Sequence, residues 1–196
     1  MSKPSWQNSL RARLAKHPRK GEGTSTTRAT RPYRIAVLGI GNELRGDDAA
    51  GVIVARELQS MIGATLVGRP QGQAQGLPLQ VINAGAAPEA FTGQLRRFDP
   101  DLVIMIDAAQ LNEPPGTIRL IEWQDTIGLS ASTHSLPLNV IAQYLISELS
   151  CEVIIIGLQS EANAFDTPLS PSMRRAVDDV IGELRSIGVE PERPMA

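Results

Sequence analysis

A single α/β domain is the fold this sequence predicts: a twisted, mostly parallel sheet of about five strands with helices on both faces. Three observations carry it. Continuous aliphatic runs at 35–38, 102–106 and 153–156 lack the polar alternation of half-exposed strands and read as strands buried on both faces. Stretches with helical spacing follow these runs, the order that builds parallel β-helix-β units. The chain is 42% hydrophobic but only 4% aromatic, so its core is aliphatic, which suits such a sheet.

Taken from the N-terminus, residues 1–32 read as a basic, flexible extension. They hold eight Lys/Arg against one acid, Glu22. Trp6, Leu10 and Leu14 fall at i, i+4 spacing, so a short amphipathic helix is possible before His17-Pro18 stops it. Residues 21–30 are rich in Gly, Ser and Thr and resemble a linker. The simple reading is a tail; the sharper one is a docking helix for a partner. Residues 33–196 form the domain, with 11 basic and 20 acidic residues and no lysine after Lys20. An acidic body with a separate basic arm excludes a nucleic-acid-binding domain. One cysteine, Cys151, excludes an internal disulfide framework. No apolar run reaches membrane-span length and no signal-peptide apolar region precedes the domain. A cytoplasmic monomer without membrane insertion is expected.

The domain opens with the strand at 35–38, followed by the glycine-rich turn Gly39-Ile40-Gly41-Asn42-Glu43-Leu44-Arg45-Gly46-Asp47-Asp48. Ile53, Val54, Leu58 and Met61 mark the next helix, with Asp47 or Asp48 placed to cap it. Residues 63–78 read as a surface insertion with a short extended piece at 65–67. A second strand covers 79–82 and leads to Asn83-Ala84-Gly85; Pro88-Glu89 then opens a helix to about Arg97. The most hydrophobic run, 102–106, is a central strand ending on Asp107. A Pro114-Pro115 turn precedes an edge strand at 117–123. A polar loop at 132–135 precedes a helix marked by Leu138, Ile141, Tyr144, Leu145 and Leu149. The strand at 151–158 leads to a last helix capped by Ser170, with Pro171 at its first position and Gly188 as its stop.

Loops leaving the C-terminal ends of parallel strands share one rim, where ligands bind. That rim receives the 40–48 turn, 85–89, Asp107 and Gln159, with His134 within reach, while Cys151 falls at the opposite edge. A dinucleotide site fails two tests. The sixth position of G-x-G-x-x-G is Leu44, and Asn83 stands where an acid should bind ribose. Each remaining rim group has an ordinary explanation: Asp48 as a helix cap, Asp107 as a turn residue, His134 as an exposed loop residue. Together, two carboxylates and an imidazole form an open donor set for a divalent transition metal.

Five motifs in order resemble the hydrogenase maturation endopeptidases. They are Gly39-x-Gly41-Asn42-x-x-x-Gly46-Asp47-Asp48-x-x-Gly51; Asn83-Ala84-Gly85 with Pro88-Glu89; Ile106-Asp107-Ala108; Thr133-His134-Ser135-Leu136-Pro137-Leu138-Asn139; and Gly157-Leu158-Gln159. The similarity is greatest to the group that processes the large subunit of the formate-hydrogenlyase-type [NiFe] hydrogenase. It runs from about Arg34 to Gly188.

The resemblance implies an endopeptidase that removes a C-terminal extension from a [NiFe] hydrogenase large-subunit precursor after nickel insertion. It implies Asp48, Asp107 and His134 as metal-contacting and catalytic residues. The nickel is carried by the precursor, although the isolated enzyme could take another divalent metal. Gly41, Asn42, Gly46, Asp47, Gly85, Glu89 and Gln159 become substrate-contacting candidates, the glycines by letting backbone amides approach the peptide. Parts of the family have Glu where this chain has Asp48, one methylene shorter. The N-terminal arm and the 63–78 stretch depart from the compact family pattern. No Gly-x-Ser-x-Gly elbow is present, and no paired motif of the pepsin type. Two other readings use the same residues: a non-catalytic nickel-sensing maturation chaperone, and a metal-dependent hydrolase of small molecules.

Overall fold

The computed structural model describes residues 5–15, 32–67, 78–126 and 137–188. In chain order the elements are α1 (Trp6–Ala15), β1 (Ile35–Ile40), α2 (Ala50–Val67), β2 (Leu79–Gly85), α3 (Thr92–Phe98), β3 (Leu102–Ala109), β4 (Ile118–Glu122), α4 (Leu138–Leu149), β5 (Glu152–Gln159) and α5 (Pro171–Gly188). Three single 3-10 turns lie at Gly46–Ala49, Pro88–Phe91 and Trp123–Thr126.

The five strands form one sheet in the order β2-β1-β3-β5-β4. All neighbours pair in parallel except β4, which runs antiparallel to β5 at the edge. Alternation along the strands divides the core in two. Val37, Ile104, Ile106, Ile154 and Ile156 face α1, α2 and α5. Leu38, Val103, Met105, Val153 and Ile155 face α3 and α4. Every residue of β1 and β3 is buried, as their unbroken aliphatic runs require.

Because β1 connects to β2 on one side and the chain then crosses to β3 on the other, β1 and β3 flank the point where strand order reverses. Crevices open at the C-terminal ends of such strands. α2 starts hard against that point. A Cβ on Gly51 would stand 2.2 Å from the Ile106 carbonyl oxygen, so only glycine lets the helix sit there.

Four expectations are corrected. Residues 6–15 are not a free tail: Leu10 is wholly buried, and Trp6 and Leu14 pack on the same core. The Arg11 guanidinium donates to both oxygens of buried Glu183 at 2.6 and 2.7 Å, and Arg13 pairs with Glu122 and Glu152. The linker-like residues 21–30 lie outside the described residues. At 65–67 the chain is helical, because α2 continues to Val67; an established helix adds residues more readily than it starts, which outweighs their strand preference. β3 does not end on Asp107. Its pairing with β1 stops at Gly39↔Ile106, but β5 carries it on to Ala109↔Gln159. Finally, neither Asp47 nor Asp48 caps α2: the 3-10 turn intervenes, preceded by Arg45 with no capping side chain.

Candidate active site

Asp48 and Asp107 meet where β1 and β3 diverge. The turn after β1 is locked by its own backbone: Arg45 N–H donates to the Asn42 carbonyl (3.1 Å), Asp48 N–H to the Arg45 carbonyl (3.0 Å), and Asn42 N–H to the Asp48 carbonyl (3.1 Å). The Asn42 side-chain oxygen accepts from Leu44 N–H at 3.0 Å, a tight polar turn. Asp107 lies in β3 two residues past Met105 and thus on the α3/α4 side of the sheet.

Both carboxyls are buried, Asp48 to 5% and Asp107 to 4% exposure. Burial raises the Asp48 carboxyl above its ordinary value, opposed by the Arg45 charge and the Asn42 amide. Asp107 is pushed up to about 8, first by burial and then by the Asp48 charge, against a smaller opposing contribution from the Ala108 amide. A buried carboxyl whose ionisation is opposed by burial and by the Asp48 charge is poised to release a proton when a cation arrives.

The same burial makes stability depend on pH. An acid whose folded pKa lies above its unfolded value, here 3.8, stabilises fully below the lower value. That contribution is lost as pH rises through about 8. Urea unfolding between pH 5 and 8 will show the stability of wild type falling relative to that of Asp107→Asn as pH rises. The limit is about 1.4 kcal/mol per pH unit, the linkage of one proton. Parallel curves for the two proteins would refute this.

Beside Asp107 lies a small hollow bordered by Ile121, Thr126, Leu138 and Gly157, with a volume of ≈ 10 Å³. That is about the minimum for one water. Thr126 and Leu138 flank the stretch containing His134, which itself lies outside the described residues. Among the described residues no three His, Cys, Asp or Glu side chains converge as a metal cage. The described donors there are Asp48 and Asp107.

The other candidates divide. Gly85, at φ +57°, accepts the Gly41 N–H at 3.0 Å and joins the two rim turns. Glu89 is exposed on the 3-10 turn after β2, on the same rim. Gly41 and Gly46 are buried and approach the chain itself rather than leaving space for a peptide. A Cβ on Gly41 would lie 1.8 Å from the Asp48 carbonyl oxygen, and one on Gly46 2.8 Å from that of Ala162.

Asp47 and Gln159 have their polar atoms committed internally, so neither offers a free group to a substrate. Gln159 Oε1 accepts from Leu111 and Glu113 amides (2.7 and 3.3 Å), and its Nε2 donates to the Ser160 carbonyl at 2.8 Å. Among the described residues, Asp47 accepts from the segment after β5. Sequence spacing missed that segment as a wall of the site; its one signal was Ser170, read as a helix cap alone. Cys151 is buried at the N-terminal end of β5, donating to the Leu145 carbonyl at 3.6 Å, away from this rim.

The profile described as HycI, hydrogenase maturation protease, matches residues 69–187. The chain belongs to the hydrogenase maturation protease family. A Methanocaldococcus jannaschii protein provisionally named as such a protease is 33% identical over 79% of this chain and 88% of its own length. The hydrogenase 3 maturation protease of Escherichia coli K12 is 30% identical over 76% of this chain and 86% of its own. The crystal structure of the [NiFe] hydrogenase maturation protease HycI from Thermococcus kodakarensis superposes with a TM-score of 0.66 at 30% identity. It covers 80% of this chain and 92% of the other.

This hydrogenase maturation protease is therefore an endopeptidase, which favours the catalytic reading over a non-catalytic chaperone. Among the described residues no helix is long and apolar enough to cross a membrane.

Proposed function

We propose that this protease removes the C-terminal extension of a [NiFe] hydrogenase large-subunit precursor in the cytoplasm. In this reading it acts only after nickel has entered the precursor, and Asp48, Asp107 and His134 contact that nickel as part of the substrate. The observation that supports this best is the pair of buried carboxyls at the strand-order reversal, both raised by burial and Asp107 raised further by the Asp48 charge. A divalent cation relieves the cost of ionising them, and carboxylates suit it as donors. The residues present therefore fit a metal-bearing substrate.

The nickel on the precursor would polarise the neighbouring scissile carbonyl. Asp107, buried and raised, holds a proton until substrate arrives. Asp48, nearer solvent and beside the Arg45 charge, ionises more easily and acts as base for the attacking water. His134 serves as a third donor or as the proton carrier to the leaving amine. Glu89 and the 85–89 turn form the outer wall along which the peptide tail lies.

Incubation with nickel-loaded precursor, followed by intact mass, tests the reading. The precursor should lose a C-terminal peptide, the nickel-free precursor should stay whole, and His134→Ala should leave the loaded precursor uncut. Equal cleavage with and without nickel would remove the metal-reading role. No cleavage of the loaded precursor by folded enzyme would remove the function.

A further inference from the structure

We propose that Asp47 is a positioning residue: its carboxylate clamps the turn that presents Asp48 and so sets the rate of cleavage rather than the binding of the precursor. This rests on the function proposed above. Asp47 is wholly buried one residue before Asp48. Its Oδ2 accepts from Glu161 N–H (2.8 Å), Ala162 N–H (3.2 Å) and Ser170 Oγ–H (3.0 Å), and its Oδ1 from Ser170 N–H (2.8 Å). Its own N–H donates to the Ala162 carbonyl at 3.0 Å. The whole grip is on the connection between β5 and α5.

That connection is itself braced. Asp166 N–H donates to the Leu44 carbonyl at 2.8 Å, and the Ser172 hydroxyl to Glu161 at 2.7 Å. Ser170 Oγ also accepts Met173 N–H at 3.1 Å, so the residue that caps α5 holds Asp47 as well. The clamp therefore runs from the turn into a full-length helix packed on the core.

In a 3-10 turn successive side chains diverge by about a third of a revolution. With Asp47 fixed on the inner side, the direction of Asp48 is fixed too. A buried carboxylate is costly unless fully bonded, and here every bond ties the turn to a segment 114 to 123 residues away. Four donors on one carboxylate therefore point to geometry as what is gained. A displacement of about 1 Å at a reacting group costs on the order of 100-fold in rate.

Asparagine keeps the size of Asp47 but turns an amide nitrogen toward donors on one side or the other, which breaks the clamp. Asp47→Asn should lower kcat on nickel-loaded precursor by about 100-fold while KM stays within about threefold of wild type. Ser170→Ala, which removes one donor and leaves the backbone amides, should lower kcat less and in the same direction. Each rate is expressed per folded molecule, counted by near-ultraviolet circular dichroism.

A wild-type kcat in folded Asp47→Asn, or a change confined to KM, overturns the proposal. Should Asp47→Asn fail to fold, Ser170→Ala decides alone: a lowered kcat at constant KM supports the clamp, and a wild-type kcat overturns it. A wild-type enzyme that leaves the precursor whole sinks the proposed function itself, and the clamp with it. An active wild type beside an equally active variant sinks the positioning role only.

Discussion

Replacing Asp107 with alanine is expected to abolish precursor processing, with a loss of about 1,000-fold or more. The side chain is 4% exposed, and the charge of a second carboxyl, Asp48, opposes its ionisation. A group with only a structural role would leave this protein less stable when removed. Asp107 should do the reverse at neutral pH, because its burial disfavours the ionised form and alanine carries no such cost. Activity and stability should therefore move in opposite directions, which separates a functional carboxyl from a structural one. Intact-mass time courses of the precursor give the first quantity and urea midpoints the second. Asp48→Ala should reduce cleavage to a similar floor. The double variant should then be little worse than either, since groups that act as a unit are not additive. Near-wild-type cleavage by Asp107→Ala would remove it from the site.

Gly41→Ala is expected to cost about 3 kcal/mol or more of stability and most of the activity. The residue has φ +135°, in a region that side chains rarely adopt, and its new Cβ would lie 1.8 Å from the Asp48 carbonyl oxygen. That carbonyl receives the Asn42 amide, so the turn must open and carry Asp48 with it. Gly85→Ala provides the contrast on the same rim. It has φ +57°, but a Cβ there meets nothing within 4 Å, so only the left-handed backbone cost of about 1–2 kcal/mol applies. Thermal unfolding of the two variants should show the larger loss for Gly41→Ala. Equal losses would refute the steric account of this turn.

What could be read in advance follows the range of the interaction. β3 and β5 are announced by their own aliphatic runs, and α5 by Ser170, Pro171 and Gly188, all signals within a few residues. Asp48 and Asp107 were legible because rim position follows from the β-helix-β order once the strands are known. Asp47 was not: as a sequence letter it is indistinguishable from Asp48, and its four donors lie 114 to 123 residues away. The extension of β3 past Asp107 was hidden for the same reason, since its partner is the distant strand β5. The two tail arginines likewise disclose nothing about Glu183, Glu122 or Glu152, at separations of 172, 109 and 139.

Those separations bear on how the chain is assembled. α1 precedes every other described helix in the chain, yet its bidentate partner Glu183 belongs to α5, and Leu10 reaches full burial in a core that α5 completes. Closing a loop of that length late in folding carries an entropy that local contacts do not offset until the sheet is formed. Until α5 is made, α1 has no complete seat, and its apolar side stays open to chaperones or to other nascent chains. Any truncation that removes α5 therefore also unseats α1.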